Sequence, residues 1–242
     1  MTDHLTKQVQ KRYHALLEEG ADPNEWAYAW RSEYNRGGFK AVDFLMEEVV
    51  NPGKCIGCAA CLTICPVDVF DYENEKPVDV RNSACVFCEL CVDACPVLRP
   101  TDQDLPQQIE LRQPVIDDGF GPYAYAVLAR TTKEYILEAG QDGGICSALG
   151  VHGMQTGQLK GMVVGNEDPD NPQMGYAHLA TTPEEVITSA RSRYSYQPNT
   201  LVLVEAMKRG VAPLAVVGVP CQVDGVRQQQ FSSIRLDVAE WY

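Results

Sequence analysis

Basic charge is scarce in this chain. Its 242 residues hold 20 Lys and Arg against 33 Asp and Glu, a formal net charge of −13 at pH 7. Nucleic-acid recognition needs basic patches to meet phosphates, so nucleic acid is not an expected partner. Histidine is scarce too. His4, His14, His152 and His178 fall at no metal-ligand spacing and read as structural or surface residues. No apolar run approaches the 18 residues that a membrane-crossing helix takes, so no transmembrane segment is expected. The opening residues are polar, without the apolar core of a secretory leader, which makes the cytoplasm the expected location. Apolar residues at 45% and charged ones at 22% are ordinary for a folded chain, and the length allows one to two domains.

Cysteine, by contrast, is plentiful. Eight of the ten stand in one stretch: Cys55, Cys58, Cys61 and Cys65-Pro66, then Cys85, Cys88, Cys91 and Cys95-Pro96. This is C-x2-C-x2-C-x3-C-P written twice, the run of bacterial [4Fe–4S] ferredoxins. A cubane cluster needs four thiolates arranged as a tetrahedron. The short spacings let one tight loop supply three, and in two-cluster ferredoxins the fourth comes from the other motif. Cluster one is therefore expected on Cys55, Cys58, Cys61 and Cys95, and cluster two on Cys85, Cys88, Cys91 and Cys65. Zinc favours paired C-x2-C knuckles instead, and disulfides favour secreted chains, so iron–sulfur is the preferred reading. Ile56, Val69, Phe70, Val86, Phe87 and Leu90 are the apolar neighbours expected to keep water from the sulfides.

The expected fold class is α+β, in three parts joined by a linker. Residues 1–50 read as a helical extension. Leu5, Val9, Tyr13, Leu16 and Leu17 share a helix face, Asp22-Pro23 opens a second segment with Trp26 and Trp30, and Val42, Leu45, Met46 and Val49 mark a third helix. These helices either pack on the chain's own body or form a docking arm for a partner subunit. Residues 51–100 form the two-[4Fe–4S] ferredoxin-like unit, and 101–122, rich in Pro, Gln and Asp, read as a linker.

Residues 123–242 alternate strand and helix patterns, as an α/β domain does. Tyr123 to Ala129, Met162 to Gly165, Ala177 to Ala180 and Pro213 to Val219 are the strand candidates. Helices are expected over 145–156 and 198–209, after the capping box Thr182-Pro183-Glu184-Glu185, and from Pro220-Cys221-Gln222 onward.

Two patches in this domain could carry chemistry. Gln141-Asp142-Gly143-Gly144 precedes a helix. Adjacent glycines allow close approach of a ligand, and the helix start offers N–H groups to an anion such as a pyrophosphate. The loop is not the G-x-G-x-x-G fingerprint, and two glycines are often only a turn. Gly218-Val219-Pro220-Cys221-Gln222 sets a cysteine at a helix start. There it could contact a flavin, serve as an extra metal ligand, or be a small buried thiol.

The two patches occur in order behind a ferredoxin unit, and that combination resembles the beta subunit of coenzyme F420-reducing hydrogenase and its relatives. Those relatives include the electron-input subunit of F420H2 dehydrogenase, formate dehydrogenase beta subunits and the flavin part of F420-dependent sulfite reductase. The resemblance is carried by Gly121-Pro122-Tyr123, the Gly140 to Gly144 loop with Ser147-Ala148-Leu149, Ala180 to Glu185, Ser192-Arg193-Tyr194 with Pro198, and Gly218 to Val223. It implies that the α/β domain binds FAD and exchanges hydride with coenzyme F420 as substrate. By resemblance, Gln141, Asp142, Gly143, Gly144, Ser147, Ser192, Arg193, Tyr194, Pro220, Cys221 and Gln222 would surround the flavin and its partner, with Arg193 either an anionic contact or an exposed arginine.

The function so implied is that of an iron–sulfur flavoprotein subunit, an F420 reductase or F420H2 oxidase. Electrons would pass between F420 and a redox partner such as a hydrogenase, a formate dehydrogenase, a carbon monoxide dehydrogenase or a membrane dehydrogenase complex. The alternatives are a ferredoxin-type relay without flavin, or a flavin-dependent reductase of another acceptor. Members of that family continue for a further stretch past the Gly-Val-Pro-Cys-Gln element. The expectation is therefore a shortened form, a site completed by a partner chain, or a sequence incomplete at its C-terminus.

Overall fold

The computed structural model describes residues 18–20, 40–98, 123 and 125–231. The expected helices before residue 40 and the linker over 101–122 lie outside them, except for 18–20, where a helix ends.

The third N-terminal helix forms as expected. It is α1 (Ala41–Leu45), and it continues as a π-helical turn, Met46–Val50. Ala41, Val42, Leu45 and Val49 are buried in the same core as Cys61, Cys85, Cys91 and Cys95. This stretch therefore packs on the chain's own cysteine unit. Each half of the cysteine repeat contains one short helix, α2 (Ala60–Ile64) and α3 (Leu90–Asp93). Between the halves runs an antiparallel hairpin, β1 (Phe70–Glu73) with β2 (Lys76–Asp79). The hairpin is short because its tip, Asn74 and Glu75, turns with positive φ at both residues. Val69 and Val86 are buried beside the cysteines, with Phe87 partly buried against the same core.

The second part is a three-stranded sheet of order β4-β3-β5, where β3 is Gly161–Glu167, β4 Gly175–Ala180 and β5 Leu214–Val216. β3 pairs antiparallel with β4 and parallel with β5. Side chains alternate across a strand, and here both faces are covered. Val163, Leu179 and Leu214 face α7 (Asn199–Arg209) and α8 (Pro220–Phe231), burying Val202, Leu203, Ala206 and Val226. Met162, Val164 and Ala180 point the other way, onto α4 (Glu134–Ala139), α5 (Ile145–Gln155) and α6 (Pro183–Thr188). Helices and mixed sheets together make the class α+β.

Two elements depart from the sequence reading. The strand expected over 123–129 does not form: Tyr123 makes an isolated bridge, and 125–130 carry no regular secondary structure. Tyr125, Val127 and Leu128 stand exposed, so among the described residues the alternation there has no surface to be buried against. α4 was not expected at all. Its single fully buried residue, Ile136, leaves too little periodicity to read.

Candidate functional site

The cysteine loops are shaped by left-handed backbone. Gly57 and Ala59 have φ of +65° and +63°, and their counterparts 30 residues on, Phe87 and Glu89, have +57° and +64°. Ala59 and Glu89 sit at the caps of α2 and α3. Turns of this kind gather N–H groups on one side, a concavity that favours an anion. The Gly57 N–H donates to Cys55 Sγ at 3.4 Å, and the Val69 N–H to Cys65 Sγ at 3.4 Å.

Burial pushes these thiols up, Cys58 to about 12 and Cys65 to about 11, while the N–H of Ala60 and those of Val69 and Val67 pull the other way. Cys61, Cys91 and Cys95 are raised for the same first reason. A dry, N–H-lined pocket holds a thiolate only when a cation shares its charge, so these residues fit an iron cluster. Among the described residues no three His, Cys, Asp or Glu side chains close on one ion-sized point. A cluster in which each thiolate binds its own iron does not ask for that.

The structure also brings the two halves together crosswise. A small cavity is lined by Cys55, Cys58, Cys61 and Cys95, with Leu45, Ile56, Ala59 and Pro77 around them. Cys58 feels the charges of Cys95 and Cys55, and Cys91 those of Cys88, Cys65 and Cys85. Cys95 of the second motif thus stands with the first three cysteines and Cys65 of the first with the second three, and Cys61 also neighbours Cys91.

Beside the cysteine unit the α/β part opens a cleft of about 1060 Å³. That is the upper end of small-molecule sites, room enough for a dinucleotide. Of the eleven residues expected around a cofactor, Gln141, Asp142, Gly143, Gly144, Ser147, Ser192, Arg193, Tyr194, Cys221 and Gln222 line it, and Pro220 does not. Three loops converge there. The glycine loop carries positive φ at Asp142 (+52°) and Gly144 (+65°) and ends at the start of α5, which Gly144 caps. Gln141 Oε1 accepts from the Ser192 N–H at 2.7 Å, tying that loop to the next one. The third loop starts α8, with Pro220 at the first turn and Cys221 behind it.

The cleft also holds Gln197 and Asn199, which the sequence reading missed, beside the expected Gln222. All three are buried polar side chains in one hydrogen-bonded group. Asn199 Nδ2 donates to the Val217 carbonyl (2.9 Å) and to Gln222 Oε1 (3.3 Å), while Gln222 Nε2 donates to the Gln197 carbonyl (3.1 Å). Asn199 Oδ1, Arg193 Nε and Glu75 Oε1 are buried without a hydrogen-bond partner among the described residues, and all three residues line the cleft. Orphaned buried polar atoms are costly, so two acceptors and a donor here await a ligand with polar groups of both kinds. Only Pro198, already noted beside Asn199, was a hint. Glu75, with Ile56, reaches the cleft from the cysteine unit, which no spacing could reveal.

Paired thiolate sites packed against such a cleft define an iron–sulfur electron-transfer protein. Known proteins resemble the chain in both parts. Residues 126–204 match the family model "Coenzyme F420 hydrogenase/dehydrogenase, beta subunit N-term", and residues 48–101 match that of a 4Fe-4S dicluster domain. The chain is 37% identical to the coenzyme F420 hydrogenase subunit beta of Methanococcus voltae over 110 residues, 45% of this chain and 39% of the relative. It is 26% identical over 190 residues to the coenzyme F420-dependent sulfite reductase of Methanocaldococcus jannaschii, 78% of this chain and 27% of that one. Among solved structures, the F420-reducing [NiFe] hydrogenase complex from Methanosarcina barkeri contains a chain 34% identical, covering 46% of this chain and 38% of its own, with a TM-score of 0.43. The present chain thus spans well under half the length of these relatives. No helix among its described residues is long and apolar enough to cross a membrane.

Proposed function

We propose that this chain is the subunit that couples one-electron carriers to a two-electron acceptor: two [4Fe–4S] clusters on the crossed cysteine sets, FAD in the cleft, and coenzyme F420 as the hydride partner. The observation that carries the reading is the convergence of ten expected cofactor residues on one cleft that adjoins the Cys55, Cys58, Cys61 and Cys95 cavity. Clusters would supply single electrons, and a flavin would exchange two of them and a proton for one hydride.

The chain's own residues bind and orient. The start of α5, opened by the glycine loop, offers N–H groups to a pyrophosphate. Arg193, 3.9 Å from Glu167, holds its unpaired Nε toward the same cleft and serves as a second anionic contact. Asn199 Oδ1 would accept from a ring N–H, and Gln222, fixed by Asn199 and Gln197, keeps that acceptor in place. Ile56, Val164 and Val217 supply apolar walls that exclude water. A redox subunit on the outer face of the cysteine unit would complete the route.

Iron, sulfide and flavin quantification on anaerobically purified protein tests the reading, with about eight irons and one FAD per chain expected. Full iron without flavin establishes the other reading, a ferredoxin-type relay. With flavin present, reduced viologen as donor and F420 as acceptor tests the substrate. Failure there, with turnover on sulfite, would transfer the assignment toward the sulfite reductase relatives.

A further inference from the structure

The two thiolate sites are not equivalent with respect to the cleft. Ile56 lines both the small cavity of Cys55, Cys58, Cys61 and Cys95 and the large cleft, so one residue forms the wall between them. Around that wall the two parts of the molecule interlock. The Thr200 hydroxyl, in the first turn of α7, donates to the Cys58 carbonyl. A Cβ placed at Gly225 of α8 would stand 3.4 Å from Cys58 Sγ, and Cys221, one turn earlier, lines the cleft and is near enough for its charge to act on Cys58. No cysteine of either set lines the cleft itself; what sets the first apart is that its neighbours Ile56 and Tyr196 do.

A fixed cation sits at the same wall. Lys76, at the start of β2, donates from Nζ to the Cys55 carbonyl, and the same ammonium stands 3.7 Å above the ring of Tyr196, a cleft residue. The Tyr196 Cβ in turn would lie 3.2 Å from a Cβ at Gly57, inside the loop of the first three cysteines. The ring and the carbonyl together pin the ammonium within one residue of a thiolate. Glu75, the next residue back, lines the cleft, and its carboxylate acts with Cys55, Cys58 and Cys61 on Tyr72, so Lys76 is the cation set against it at this wall. At the outer site the charge has the opposite sign: the Asp68 carboxylate is close enough to act on Cys65.

We propose that the Cys55, Cys58, Cys61 and Cys95 site is the one that exchanges electrons with the cleft, and that Lys76 is the positioning residue that raises its reduction potential above that of the outer site. The physics is Coulombic. Reducing a cluster adds one negative charge, which a cation nearby stabilises and a carboxylate opposes, and neither is well screened beside a buried site. The sign of the step biases single electrons toward the cleft side. The inference rests on the cluster assignment above, but not on flavin or F420.

The test is a redox titration followed by electron paramagnetic resonance on the full anaerobic chain, comparing the native protein with Lys76→Met, Lys76→Arg and Tyr196→Leu. Cys61→Ser, which changes a ligand of the cleft-side site, assigns the signals. Lys76→Met is expected to lower the midpoint of the signal that Cys61→Ser perturbs. The change is between threefold and about tenfold in the oxidised-to-reduced ratio, the upper end being ~59 mV for one electron. The other signal stays in place. Lys76→Arg restores the midpoint, and Tyr196→Leu, which frees the ammonium without removing it, gives a smaller fall. An unmoved cleft-side midpoint, an equal shift of both signals, or a shift of the outer signal alone overturns the proposal. If Lys76→Met does not load iron, Tyr196→Leu decides by the same criterion. Native protein without two cluster signals would instead refute the cluster assignment, a different result from unmoved midpoints.

Discussion

Gly57 and Phe87 occupy the same place in the two halves of the repeat, and both take a left-handed backbone. A side chain in that conformation costs roughly 1–2 kcal/mol. The second half accepts that cost with Phe87, which is packed against the core. The first half cannot. A Cβ at Gly57 would lie 2.7 Å from the Glu75 carbonyl, which is backbone and has nowhere to retreat. Gly210 is the natural control, with φ of +64° and nothing within 4 Å. In thermal or urea unfolding of the loaded protein, Gly210→Ala should cost about 1 kcal/mol. Gly57→Ala should cost at least ~1 kcal/mol more, because overpacking adds to the strain. Equal costs would mean that the hairpin tip yields. Cys95→Ser makes a second test at this scale: although Cys95 stands in the second motif, it should perturb the same resonance signal as Cys61→Ser. The cysteines were legible because ligand spacing is a local property of the chain. Asn199 was not, because an orphaned acceptor becomes visible only when Val217, Gln222 and Gln197 have been folded around it.

Among the elements, α6 shows why some boundaries can be read to the residue. Thr182 Oγ1 accepts from the Glu185 N–H at 3.2 Å, and Glu185 Oε2 accepts from the Thr182 N–H at 3.1 Å and from Thr181. The whole signal lies within four residues, with Pro183 opening the first turn. Thr182→Ala should cost about 1 kcal/mol, seen as a melting point lower by roughly 2–4 °C. The hydrogen bond from the Thr181 N–H holds the Glu185 carboxyl below its ordinary value, opposed by burial and helped by the bond from the Thr182 N–H. A carboxyl lowered in the folded state stabilises it fully above its unfolded value, about 4.3, and that contribution fades as pH falls through the folded value. Hydrogen exchange at the α6 amides should therefore separate Glu185→Gln from the native protein at pH 6 and converge with it toward pH 3. β3 and β5 were legible for a related reason, since a buried strand announces itself as an apolar run. The alternation over 123–129 misled because amphipathic pattern shows that a strand could form, and only a partner in register makes one.

At the scale of the whole molecule, nothing in the sequence showed how the cysteine unit would sit on the sheet, because the contacts that join them are single atoms far apart in the chain. Thr63 donates to Gln229 Oε1 at 2.9 Å across 166 residues, and Thr200 reaches the Cys58 carbonyl across 142. α2 packs on both α7 and α8. The loops that would hold iron are thus the same loops that brace the cleft floor, where Asn199 and Gln222 stand. Metal binding and folding are linked wherever a site must be assembled from loops, so iron should stabilise more than its own pocket. Removing it anaerobically with a chelator should raise hydrogen exchange in α2 and α3, as any ferredoxin unit would show. It should raise it as well in the first turns of α7 and α8, which carry no ligand. α5 and α6, on the far face of the sheet, are the internal reference and should change least. If the increase stops at residue 98, the two parts are joined only by proximity, and the cleft does not sense the state of the cluster loops. If it reaches Asn199 through Thr200, cofactor binding in the cleft and iron loading become a single thermodynamic problem, and flavin added to the iron-free protein should bind more weakly than to the loaded one.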